Sequence, residues 1–223
     1  VNLVAKAQPT IVCPLDTVHL SVYTNPQSCG ISTTPCSGNV VTGQIGTGTG
    51  QTPASPTTFP TIYGHYYKSA RHQFLYRKSE LLSQFPSGGE IRSVSFKVSQ
   101  VNTPNDTLQN FTIRMGCTQS DSLTFWLPNM IQVYNPRNIA VGNAAGWRTY
   151  TLDYPYNWDG TSNLIVEVCS NNSVDGVVHN RMEMTPTPFS SVFWVKDNTT
   201  VCFNTGTNPQ KSVNRPNTKF DIC

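Results

Sequence analysis

Residues 91–101 read IRSVSFKVSQV, and this stretch decides the fold. In an extended chain Val94, Phe96 and Val98 fall on one side and Ser93, Ser95 and Lys97 on the other. That two-residue period marks a strand with one apolar face. The alternation returns in LQNFTIRMGC (108–117), WRTYTLDY (147–154), NLIVEVC (163–169) and SVFWVKD (191–197). TPND (103–106), NPRN (135–138), WDGTSN (158–163) and NTGTNP (204–209) separate these runs with Asx and Gly residues that tolerate turn geometry. Only SELLSQF (79–85) has helical character, with Ser79 as its expected N-cap. Short strands at this spacing predict an all-β chain, an antiparallel, jelly-roll-like β-sandwich.

The flanks refine that expectation. Residues 1–24 hold one more β-pattern, TIVCPLDTVHLSVY (10–23), and are read as an N-terminal strand segment. Residues 25–60 are rich in Gly, Thr, Ser and Pro and read as a linker, clipped by Cys29 and Cys36 on proximity alone. The sandwich module is then expected over 61–223. No run has the length of a membrane span, and the first residues lack the charged-then-apolar pattern of a signal peptide, so a mature or excised piece of a larger protein is expected.

Composition narrows the function classes. Only 12% of the 223 residues are charged, about half the ordinary share, and the net charge is +3. So small and scattered a charge argues against nucleic acid and membrane insertion. The seven cysteines, at 13, 29, 36, 117, 169, 202 and 223, show no CxxC pair and no zinc spacing. They point to an oxidising compartment with two or three disulfides. The odd count leaves one thiol over, and Cys117, at the end of the alternating Phe111, Ile113, Met115 face, is the expected one.

Catalytic chemistry is poorly supplied. No G-x-S-x-G elbow occurs, and only four glutamates (Glu80, Glu90, Glu167, Glu183) are present. A non-enzymatic role is therefore expected, with no resident cofactor. His65 and His72 are seven residues apart across a bend, which sets no ligand geometry. WDGTSN reads either as a hairpin turn or, through Asp159, Asn163 and loop carbonyls, as a calcium site. Among the aromatics, Tyr66, Tyr67 and Trp126 have turn or polar flanks and are expected to be exposed, for stacking on a sugar or anchoring a protein.

Several strings in order, YGHYYKSARHQFLYRKSEL, GGEIRSVSFKV, NFTIRMGCT, GWRTYTLDYPYNWDGTSNLIVEVC and NRPNTKF, resemble a module of very large surface proteins of Bacteroidota. These proteins are exported by the type IX secretion system, as are the gliding-motility adhesin SprB and its relatives. The likeness covers roughly residues 61–223, and TIVCPLDTVHLSV resembles the first strands of Ig-like repeats that precede such modules. No type IX sorting domain is visible at the C-terminus, so an internal piece is implied. The resemblance implies an extracellular, cell-surface adhesin-like module, with Cys169 bonded to Cys202 and Cys13 and Cys223 left over. It places Tyr66, Tyr67, Arg71 and Gln73–Tyr76 in entry strands first and on a binding surface second. Thr17, Thr107 and Ser122, in Asp-Thr/Ser-apolar triplets, are the implied O-glycan acceptors; Asn105, Asn110, Asn171 and Asn198 head sequons that would serve a eukaryotic source instead. The implied partners are a surface glycan or protein, neighbouring modules, and the secretion machinery during export. A stalk or filament subunit and a carbohydrate-binding accessory module of a secreted hydrolase are the alternatives.

Overall fold

The computed structural model of the chain describes residues 2–8, 19–25, 28–52, 61–176, 179–188, 192–197, 199–203 and 208–223. Sixteen strands and one short helix are assigned among them. They are β1 (Asn2–Gln8), β2 (His19–Asn25), β3 (Gly30–Ile31), β4 (Val41–Ile45), β5 (Gly50–Gln51), β6 (Ser69–Tyr76), α1 (Lys78–Leu82) and β7 (Gly89–Gln100). There follow β8 (Thr107–Thr118), β9 (Ile131–Ala140), β10 (Gly146–Trp158), β11 (Asn163–Asn171), β12 (Arg181–Pro186), β13 (Val192–Asp197), β14 (Gln210–Ser212), β15 (Asn214–Pro216) and β16 (Thr218–Ile222).

The quoted stretch is β7, at the centre of an eight-stranded antiparallel sheet. It pairs β10 along one edge and β16 and β12 along the other, while β3, β4, β5 and β15 complete the sheet. Opposite lies a six-stranded sheet in the order β14-β13-β6-β11-β8-β9. The chain passes from one sheet to the other between β6 and β7, β7 and β8, β9 and β10, β10 and β11, and onward, which makes an antiparallel sandwich of two packed layers.

The inner faces carry the expected alternation. Val94, Phe96 and Val98 are fully buried. Aromatic contacts join the layers: Phe74 meets Phe96 at 5.9 Å, Tyr76 meets Phe220 at 5.1 Å, and Phe111 stacks on Tyr150 at 4.9 Å between centroids. Several buried aromatic tips have partners. Tyr150 donates to the Tyr63 hydroxyl at 3.1 Å, and the Trp158 indole N–H donates to the Ser162 carbonyl at 2.8 Å. Burial above all drives the Tyr63 and Tyr150 phenols well above their ordinary range.

Three expectations change here. First, part of 25–60 belongs to the sandwich. β3 pairs Tyr156–Asn157 of β10, β4 pairs β16, and β5 pairs β12. Its low apolar content misled because edge strands need only backbone groups to dock. Second, the N-cap of α1 is Arg77, not Ser79. The Arg77 N–H donates to Glu80 Oε2 at 3.0 Å, and the side-chain oxygen of Asn163 accepts the Lys78 N–H at 2.7 Å. Third, His72, expected as a surface or half-buried histidine, is 1% exposed and stacks on Phe74 inside the core. The β-pattern of 10–23 contributes β2, which pairs with β1 in a separate two-stranded sheet; residues 10–18 lie outside the described residues.

Turn chemistry governs the ends. Gly88 and Gly160 both adopt positive φ (+72° and +71°) and face one another backbone to backbone. A Cβ on Gly88 would stand 2.7 Å from the Gly160 nitrogen, so neither position accepts a side chain.

Candidate functional site

Glu167 is the centre of the most organised polar cluster among the described residues. In β11 it lies between Val166 and Val168, which point into the core, so its own side chain stands on the outer face of the six-stranded sheet. The registers align it with Gln73 of β6 and Arg114 of β8 in one cross-strand row. Yet it is only 1% exposed.

Two covering segments explain the burial. The 119–130 loop crosses the sheet, held where Gln73 donates to the Leu127 carbonyl at 3.0 Å and accepts the Leu127 N–H at 2.9 Å. Beneath it a second apolar cluster forms from Leu75, Leu123, Trp126, Ile165 and Val201. The other cover is 199–203, tied to the sheet by the Cys169–Cys202 disulfide.

Glu167 is held from three sides. Oε2 accepts Arg71 Nε at 2.9 Å, Arg71 Nη2 at 2.7 Å and Gln73 Nε2 at 2.8 Å. Oε1 accepts Arg114 Nη1 at 2.6 Å. An aromatic ring caps each guanidinium: Trp126 lies over Arg71 at 4.2 Å, and Phe203 over Arg114 at 4.4 Å. Paired in this way, buried charge is tolerated. The same row ties down both covers, through Gln73 on the Leu127 carbonyl and Arg114 on the Cys202 carbonyl.

This geometry redistributes the expected binding residues. Arg71 and Trp126 do come together, but both are inside; Trp126 is 8% exposed and Arg71 4%. Trp126 is therefore not an exposed platform: its flanking turn residues belong to a loop that folds over the sheet. Tyr66 is exposed and meets Tyr67, which is half-buried, edge to face at 5.1 Å. The large apolar side chains offered to solvent on the covering segments are Phe125 (66% exposed) and Phe203 (74%). Sequence reasoning missed both, and missed Glu167 and Arg114. The available signal was a lone glutamate inside an otherwise apolar strand, opposite arginine-bearing strands.

The Asp159 and Asn163 side-chain oxygens each accept hydrogen bonds from protein donors. Asp159 Oδ1 accepts the N–H groups of Thr161 and Ser162 at 2.8 Å, and Oδ2 accepts the Ser162 hydroxyl at 2.6 Å. Burial pulls this carboxyl upward, but the donors of Ser162 and Thr161 win and leave it below its ordinary value. Asn163 turns to α1 and to Asp121, to which its amide donates at 2.9 Å. WDGTSN is thus the hairpin turn. Asp159 does sit beside Cys29 and Cys117, with ligand atoms within 4.8 Å of one another, but a disulfide there leaves no thiolate to bind metal.

The cysteine pairing also differs. Cys29 bonds Cys117, not Cys36, and Cys36 bonds Cys223. The segment after Cys29 is fastened to the sheet, with the Ser32 N–H on the Pro155 carbonyl and the Cys36 carbonyl accepting Arg92, and each cysteine meets a different partner. Cys117 is consequently not the spare thiol. Cys169 bonds Cys202. Cys13 lies outside the described residues, as do Thr17 and Asn198; Thr107 is exposed and Ser122 half-buried. Three disulfides among the described residues mark a chain that matures in an oxidising environment.

His65 makes a separate junction. Its Nδ1 lies 2.7 Å from Asp106 Oδ1 and its Nε2 3.1 Å from the Val174 carbonyl. The Asp106 hydrogen bond, opposed by burial, lifts the imidazole above its ordinary value. No helix among the described residues is long and apolar enough to cross a membrane. No protein-family model matches the chain, and no curated protein matches it significantly.

Proposed function

We propose that this chain is a non-catalytic, adhesin-like module of a large secreted protein, exposed at the cell surface and making contact with a glycan or protein. The carrying observation is that Phe125 and Phe203, the two large apolar side chains offered on the covering segments, sit on loops fastened by a disulfide, a buried ion cluster and a glutamine clamp. Exposed rings on a rigid base suit recognition at little ordering cost. The carboxylates support the same reading: Glu167, Glu80 and Glu90 each form ion pairs with arginine. The resemblance to type IX-exported surface modules of Bacteroidota agrees with it, and avidity from repetition would serve weak single contacts.

The test is adhesion of bead-immobilised chain to cells and to glycan-coated surfaces. Retention is expected, with a clear loss in a Phe125→Ser/Phe203→Ser double variant that keeps its melting temperature. Turnover of a glycan or peptide by the purified chain would sink the non-catalytic reading. A second reading, a stalk or filament subunit, is favoured by β4. That edge strand pairs only β16 among the described residues, carries no charge, and exposes Val41 beside Val40. Concentration-dependent assembly in sedimentation would move the balance toward it.

A further inference from the structure

We propose that Arg114 and Phe203 form a subsite for a sugar-borne carboxylate, so that the ligand of this face is an acidic glycan. The proposal rests on the contact-module reading above and names a ligand class for it.

The observation is an unmade hydrogen bond. Arg114 is 9% exposed and its Nη1 serves Glu167 and, at 3.2 Å, the Cys202 carbonyl. Its Nη2 is buried and has no hydrogen-bond partner among the described residues. Buried guanidinium donors are ordinarily satisfied, because leaving one dry forfeits its solvation without return. Glu167 does not supply the missing acceptor: Oε1 meets Arg114 through Nη1 alone, and Oε2 takes three donors on the Arg71 side. Arg71 and Arg114 thus share one carboxylate, and a second carboxylate would both pair Nη2 and balance the remaining positive charge.

Access depends on Phe203. Its ring covers the Arg114 guanidinium yet stays 74% exposed, so swinging it aside sacrifices little buried apolar surface. Trp126, the equivalent cap on Arg71, is sealed and offers no such route. A uronic acid joins a flat C–H face to a carboxylate on one rigid ring. With the phenyl ring swung aside, the sugar would stack on it while the carboxylate reaches the guanidinium that the ring uncovers. An acidic peptide holds its carboxylate on a flexible arm with no ring to stack, so it matches only half of the arrangement.

The experiment is calorimetric titration of the full chain with oligogalacturonate, its methyl ester, and poly-glutamate. Saturable binding of oligogalacturonate is expected, weakened by salt and absent for the ester. Phe203→Ala should weaken it by roughly tenfold, and Arg114→Gln by at least as much. Phe203→Ala keeps the test sound if Arg114→Gln fails to fold. No binding, binding untouched by Phe203→Ala, or equal binding of the ester or of poly-glutamate would overturn the subsite. Adhesion retained in the assay above without uronate binding rejects the subsite alone; loss of both rejects the contact-module reading too.

Discussion

The two ends of the Glu167 cluster use the same chemistry to opposite effect. At one end Arg71 gives two donors to the carboxylate, and Trp126 seals it beneath the 119–130 loop. At the other Arg114 gives one donor, and Phe203 covers it while facing solvent. A cation under a buried indole is structure, because both partners left water together. A cation under an exposed phenyl ring keeps part of its bonding capacity in reserve. The difference comes from the covers: a glutamine clamp on Leu127 holds one, while the other hangs from a disulfide.

The contrast can be broken in order of effect. Glu167→Gln strands two buried guanidinium groups and should cost about 3–5 kcal/mol in urea unfolding; a loss under about 1 kcal/mol would mean that water already reaches the cluster. Trp126→Ala should cost about 3 kcal/mol, since it removes a buried ring and opens the satellite core. Serine at both Cys169 and Cys202 should cost roughly 2–3 kcal/mol, from a loop of sequence separation 33. Hydrogen exchange should then rise at 199–203 and not at 119–130; a uniform rise would erase the distinction between the covers.

A smaller effect lies outside the cluster. The His65 imidazole is raised above its ordinary value of 6.5 by Asp106, so its contribution is full below that pH and fades as pH climbs through the raised value. The melting temperature should therefore decline between about pH 6 and pH 8 in the wild type and decline less in His65→Gln. Equal slopes would remove the junction with Asp106 and Val174 from the stability account. Smallest of all, Phe203→Ala should change stability by less than about 0.5 kcal/mol. A loss comparable to that of Trp126→Ala would show both ends to be structural.

Local pattern carried far in this chain. Residues 91–101 placed Val94, Phe96 and Val98 on one face because strand periodicity is a property of the backbone, independent of what the face meets. WDGTSN was legible as a turn for the same reason: Asp159 caps its own neighbours. The site was much less legible. Trp126 was expected to be exposed and Arg71 to lie in an entry strand with a binding surface second, because sequence shows polar flanks and not the loop that folds back over both. Glu167 looked like one glutamate in a strand.

By itself the sequence determined the all-β class, the faces of the main strands and the oxidising character of the chain, all consequences of composition and short-range geometry. Tertiary structure alone decided that Cys29 meets Cys117 and Cys36 meets Cys223, that part of 25–60 joins the sandwich, and that Gln73, Glu167 and Arg114 share one row. Those outcomes depend on pairing across long sequence separations, 88 residues for Cys29 with Cys117 and 187 for Cys36 with Cys223. Register and sheet order set such distances, and neither is written in any local stretch of the chain.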